Sequence, residues 1–190
     1  MTQTNNKVSI QVKLGGRSFS NQDIAIAEDI EQIEVVVDTP RVTLAPRENV
    51  SLDTASELLR IVGKPCRSNE QSVCSELQAD IIAVMAIDSS ALASIVEQWG
   101  SRATFTSPLL DMRHNEENCL TIDATDEVCY MRLFDNGLQR AEAFTISTAD
   151  DILYLVAEWL RDNNSTPIYI KGSKCATKLL RKYFKQVVCE

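Results

Sequence analysis

Asp135-Asn136-Gly137 lies between two alternating apolar runs, residues 128–134 and 138–146. This arrangement constrains the chain more than any other local feature. An Asn-Gly pair enters the positive-φ conformations of a tight hairpin turn at little steric cost, so the flanking runs must pair antiparallel in one register. A third run, residues 119–123, precedes them and completes a meander. Ser147 or Thr148 then caps a helix that turns Ile152, Leu155, Val156 and Trp159 inward. Asp150 and Asp151 sit in its first turn, where the helix dipole favours anions. Residues 167–171 read as the next strand, Ser173 as the cap of a last helix, and residues 186–189 as a short final strand. A meander whose third strand feeds a helix can continue parallel to its first strand, which gives a mixed sheet covered by helices.

The preceding half reads in the same element order, without a residue-level repeat. Val8, Ile10, Val12 and Leu14 alternate with Lys7, Ser9, Gln11 and Lys13, the period of a strand. Gly15-Gly16 supplies a turn, and residues 17–20 are expected to return beside that strand as a hairpin. Ile33, Val35 and Val37 mark a further strand that ends at Thr39-Pro40, followed by a short one at 41–44. Ser51 is read as a helix cap, with Leu52, Ala55, Leu59 and Val62 at helical spacing until Gly63 and Pro65. Residues 66–79 are polar and loop-like. Residues 80–87 are apolar throughout apart from Asp80, as expected of a strand covered on both faces in a parallel or mixed sheet. Asp88 caps a helix carrying Leu92, Ile95, Val96 and Trp99, closed by Gly100. A short strand at 103–106 and a capped turn at Ser107-Pro108 lead into the polar stretch 112–118. The boundary between two parts, 1–113 and 114–190, is placed there.

Charge and composition exclude some functions. With 19 Lys+Arg against 27 Asp+Glu the net charge is −8, which argues against a generally basic nucleic-acid binder. The apolar run at 81–87 is far short of the ~20 residues a membrane span requires, and the polar N-terminus has no signal-peptide pattern, so a cytoplasmic protein is expected. Cys66, Cys74, Cys119, Cys129, Cys175 and Cys189 are widely spread and read as reduced thiols, with no Cys-x-x-Cys pair pointing to zinc. His114, the one histidine, lies in the polar connector and reads as a solvated loop residue, so no metal ligand and no catalytic triad or dyad is assigned.

Several segments together, VSIQVKLGGRSFS near the start, VTLAP at 42–46, FTISTADDILYLVAEWL, TPIYIKGS and LLRKYF, resemble a small uncharacterised bacterial family assigned a two-lobed actin-like ATPase fold. The resemblance covers most of the chain. It implies an α/β fold of two ribonuclease-H-like lobes, each a mixed sheet with packed helices; fold kinship alone does not assign an activity. Actin-like ATPases cradle phosphates in the turn of each lobe's first hairpin, where an aspartate and close glycines let backbone N–H groups approach the nucleotide and hold magnesium.

Transferred to this chain, the resemblance points to Gly15, Gly16, Asp123 and Gly172. The first turn, residues 13–18, keeps two glycines and lacks the aspartate. The second, Asp123-Ala124-Thr125-Asp126-Glu127, keeps the aspartate but has no glycine, and its three carboxylates repel a polyphosphate unless a metal intervenes. Ile168-Tyr169-Ile170-Lys171-Gly172-Ser173 resembles the strand-to-helix turn used against adenosine, with one glycine where a pair is usual. A nuclease-like carboxylate cluster of Asp123 and Glu158 meets Lys171 near the place where a further acid is needed.

The expectation is a protein without catalysis or cofactor, its nucleotide loops degenerate, that acts as a protein-interaction scaffold. The alternative is an ATP- and magnesium-binding protein with weak or no hydrolysis, using the same four residues in an inter-lobe cleft. Lys174, Lys178, Arg181 and Lys185 recur at helical spacing opposite Leu179, Leu180, Tyr183, Phe184 and Val187. They form a basic stripe in an acidic chain, which is either a solvated helix face or a dock for an acidic partner, a phosphate group or nucleic acid.

Overall fold

The computed structural model describes residues 7–13, 31–161, 163 and 165–190. The chain divides into two compact units, Met1–Leu110 and Asp111–Glu190.

In the first unit, β1 (Lys7–Lys13), β2 (Gln32–Asp38) and β6 (Ala103–Thr106) form a parallel sheet in the order β1-β2-β6. Its apolar residues alternate as the period-two pattern requires: Ile33, Val35 and Val37 are buried, and Ile10 and Val12 pair with Val35 and Val37. The hairpin expected at Gly15-Gly16 lies outside the described residues.

A second sheet is antiparallel, with β5 (Ile81–Asp88) between β3 (Val42–Pro46) and β4 (Glu70–Cys74). β5 is buried on both faces, as its composition predicts, but both its neighbours are antiparallel. A continuous apolar run reports coverage of both faces and not the direction of the flanking strands. The described strands of this unit thus form two sheets, where one mixed sheet is expected from the sequence.

β4 also corrects the loop reading of 66–79. Its polar sequence, Glu70-Gln71-Ser72-Val73-Cys74, hides a strand because Glu70 is buried by charge pairing: Arg41 donates from its guanidinium to both Glu70 carboxylate oxygens, and the Arg67 N–H donates to one of them at 2.8 Å. Helix α1 (Ala55–Ile61) begins later than expected, with Thr54 at its cap, while Ser51 closes a preceding turn. Leu52 and Val62 are 70% and 46% exposed, so Ala55 and Leu59 form the buried stripe. Helix α2 (Ser89–Trp99) starts and ends where expected, with the Asp88 carboxylate accepting from the N–H groups of Ser90 and Ala91, but its buried stripe is Ala91, Ile95 and Trp99, and Val96, expected on that side, is 55% exposed.

The second unit realises the meander. β7 (Asn118–Ala124), β8 (Val128–Asp135) and β9 (Leu138–Thr145) are joined antiparallel, and the β8–β9 turn places Asn136 and Gly137 at φ 50° and 128°. α3 (Ala149–Leu160) starts with a capping box, in which the Thr148 hydroxyl accepts from Asp151 N–H and the Asp151 carboxylate accepts from Thr148 N–H. β10 (Ile168–Lys171) then runs parallel beside β7, α4 (Lys174–Leu180) follows, and β11 (Val187–Cys189) closes a mixed sheet in the order β11-β10-β7-β8-β9.

One face of this sheet forms the core. Leu120, Ile122, Ala124, Cys129, Met131, Ile168 and Ile170 pack with Ile152, Val156, Trp159 and Leu160 of α3 and with Ala176 and Leu180 of α4. The basic stripe is shorter than its sequence periodicity implies. α4 ends at Leu180 with Arg181 as its cap, and Lys185 lies beyond the helix. The apolar partner face narrows as well, since Phe184 is buried while Tyr183 is largely exposed.

Candidate functional site

The alternation that sends Leu120, Ile122 and Ala124 of β7 toward α3 and α4 sends Cys119, Thr121 and Asp123 to the opposite face of the sheet. Thr121 pairs directly with Arg132 of β8, and Asp123 lies one diagonal step away on the same face. Arg132 is the signal that the sequence reading passed over, an arginine inside the apolar run Val128-Cys129-Tyr130-Met131-Arg132-Leu133-Phe134. Its side chain is only 2% exposed, which demands compensation. Arg132 Nε donates to Thr121 Oγ1 at 2.8 Å, and a terminal guanidinium nitrogen donates to Asp123 Oδ2 at 2.5 Å. Asp123, the residue expected to position magnesium, is therefore engaged by a fixed cation.

Gly172 is accounted for by backbone packing. It adopts φ +90°, and a Cβ there would lie 1.9 Å from the Ala124 carbonyl oxygen. The turn from β10 into α4 thus passes against the end of β7 at a distance only glycine permits. Lys171 pairs in register with Asp123, whereas Glu158 is exposed on α3, which packs on the other face of the sheet, so the two acids do not converge. Gly15 and Gly16 lie outside the described residues.

Three members of the basic stripe come together. Lys174, Lys178 and Arg181 line a cleft of about 250 Å³ with Thr177 and Cys189. Arg181 is tethered by a hydrogen bond from Nε to the Val187 carbonyl at 3.3 Å. Lys185 is not among the lining residues.

At the other end of the polar row on β7, His114 departs from the solvated-loop expectation. Its imidazole is 15% exposed and stacks on Tyr169 of β10 at 4.2 Å between ring centroids and 19° between planes. Nδ1 lies 3.0 Å from Glu117 Oε1 and Nε2 lies 2.9 Å from Glu190 Oε1. Arg113 pairs with Asp111 and Glu190 in the same cluster. Burial by itself pulls the His114 pKa down, but the hydrogen bonds to Glu117 and Glu190 outweigh it and hold the imidazole above its ordinary value. The Glu117 carboxyl is lowered, chiefly by the His114 hydrogen bond and further by one from the Tyr169 hydroxyl. Burial, reinforced by the Glu117 charge, pushes the Cys119 thiol up to about 11. The cluster escapes a sequence reading because Glu190 is 76 positions from His114 and Tyr169 arrives on a different strand.

The architecture belongs to the class of the actin-like ATPase fold, a mixed α/β arrangement, as comparison with solved structures shows. A protein of unknown function with that fold from Bacteroides thetaiotaomicron VPI-5482 is similar over 85% of this chain and 69% of its own, at 21% identity and a TM-score of 0.69. The PilM–PilN type IV pilus biogenesis complex matches over 85% of this chain and 70% of its own, at 13% identity and a TM-score of 0.47. An AlfA filament bound to AMPPNP matches over 84% and 52%, at 12% identity and a TM-score of 0.41. No family model and no curated protein matches the chain. Among the described residues no helix is long and apolar enough to cross a membrane.

Proposed function

We propose that this chain is a non-catalytic, cytoplasmic protein on an actin-like fold, with ribonuclease-H-like lobes and degenerate nucleotide loops, that serves as a scaffold for a protein partner. The observation that carries this reading is the pairing of Asp123 with the buried Arg132. The guanidinium supplies the positive charge that magnesium would bring, at a fixed position and without open coordination sites for phosphate oxygens. The following turn, Thr125-Asp126-Glu127, adds two carboxylates and no glycine, so it lacks the backbone cradle that polyphosphates use. The order β11-β10-β7-β8-β9, a meander continued by parallel strands, supports the ribonuclease-H-like reading of the second unit.

The partner surface we assign is the cleft lined by Lys174, Lys178 and Arg181, whose charge opposes the chain's net −8 and suits an acidic protein segment. Two measurements test the reading. Scanning fluorimetry with millimolar MgATP should leave Tm unchanged, because a ligand at a hundred times its Kd would add about 2.7 kcal/mol. A magnesium-dependent rise would replace the scaffold with the ATP-binding alternative and make Asp123→Asn the next variant. The double variant Lys178→Glu/Arg181→Glu should keep its circular dichroism and lose a co-purifying partner. Undiminished recovery of that partner would remove the cleft from the interface.

A further inference from the structure

The polar row on β7 holds a second constellation that the scaffold reading does not use. The ligand atoms of His114, Glu117 and Cys119 all lie within 4.8 Å of one another. We propose that these three side chains form a site for a zinc-like dication, with His114 Nδ1, a Glu117 carboxylate oxygen and the Cys119 sulfur as ligands and Glu190 as the group that orients the imidazole.

Four features support the assignment. First, the donor set is mixed: a thiolate, an imidazole nitrogen and a carboxylate suit zinc, while magnesium and calcium favour all-oxygen shells. Thiolate and carboxylate together bring two negative charges, which balance a dication. Second, the two imidazole nitrogens are differentiated. Nδ1 faces Glu117, and Nε2 is 2.9 Å from Glu190, so an Nε2–H donated to that carboxylate leaves the Nδ1 lone pair for a metal. A metal-bound histidine usually donates its other N–H to a carboxylate in this way.

Third, the ring plane is fixed by its stacking on Tyr169, whose hydroxyl also hydrogen-bonds Glu117. Two of the ligands are therefore positioned by one side chain on a neighbouring strand. Fourth, Cys119 is buried on a strand paired on both sides, whereas Glu117 is exposed. The sulfur is a rigid inner donor and the carboxylate an outer one on the side from which an ion enters. Three protein ligands leave a fourth position for water or a partner's side chain.

Binding exchanges the Cys119 S–H bond for a metal–sulfur bond and releases that proton to solvent. Where His114 begins as imidazolium it releases a second proton. Affinity therefore rises with pH through the neutral range.

The test uses the full chain stripped of metal by a chelator and titrated with Co²⁺, then with competing Zn²⁺. One equivalent of Co²⁺ should give a thiolate-to-cobalt charge-transfer band with visible bands of four-coordinate intensity, and Zn²⁺ should abolish both. Cys119→Ser should remove the charge-transfer band. Because Cys119 is buried, Glu117→Gln at an exposed position serves as the variant that keeps the fold, and it should weaken Zn²⁺ binding at least tenfold. Glu190→Gln should weaken it by about 10–100-fold, the usual effect of losing an orienting partner. No stoichiometric binding, binding without a thiolate band, or equal affinity in wild type and Glu117→Gln would each overturn the site. None of these readouts depends on nucleotide or on the basic cleft, so this site and the scaffold reading fail separately.

Discussion

Arg132 shows how one side chain determines what another can do. Its pairing with Asp123 and Thr121 makes the arginine a structural cation, so Arg132→Met should deprive Asp123 of its hydrogen-bonded cation. Removing one partner of a buried pair costs about 3–5 kcal/mol, and the 15% exposure of Asp123 places this case near the lower end. Urea denaturation should show that loss, with recovery of most of it in Arg132→Met/Asp123→Leu. His114 gives a prediction in pH. Burial opposes its charge, yet Glu117 and Glu190 raise its folded pKa above the ordinary 6.5. The folded state therefore binds the imidazole proton more tightly than the unfolded chain does. That contribution is complete below about pH 6.5 and is lost as pH rises through the folded value. In metal-free protein, unfolding free energy should fall on this limb, and His114→Gln should flatten it.

Elements were legible where their determinants are local. Asn136-Gly137 specifies the β8–β9 hairpin, and Thr148 with Asp151 specifies the start of α3. Thr148→Ala removes the side-chain acceptor of that cap and should cost about 1 kcal/mol, measurable as a lowered urea midpoint at unchanged slope. Elements whose determinants are distant were not legible. β4 is a strand because Arg41 neutralises Glu70, 29 positions away. α1 loses its first expected turn because Ser51 and Thr54 satisfy each other's polar groups in a turn before the helix. α4 stops early: Arg181 caps it in helical conformation, a short turn follows to Phe184, and Lys185 lies beyond that turn. The same division holds at the site. Asp123 is a candidate only through the resemblance to actin-like ATPases, while its partner is visible in the sequence only as an arginine interrupting an apolar run. His114-x-x-Glu117-x-Cys119 was present as a spacing, but a search for paired cysteines does not find it.

Across the whole molecule, the strongest asymmetry is between the two faces of the second unit's sheet. One face is apolar and packed by α3 and α4, and the other mixes the row Cys119, Thr121 and Asp123 with Tyr130, Arg132 and Phe134, which are buried as well. The cysteines extend this to the level of dynamics. All six are free: Cys175 and Cys189 are exposed, Cys66 and Cys74 are half-buried in the first unit, and Cys119 and Cys129 are buried in the second. A thiol-reactive probe should therefore modify two sites at once, two more at the rate at which the first unit breathes, and the last two only when the second unit opens; peptide mass spectrometry over time separates the three classes. Simultaneous modification of Cys74 and Cys129 would mean that the two units open together. The unmodified chain thus carries its own clock for local unfolding, with a separate hand for each unit.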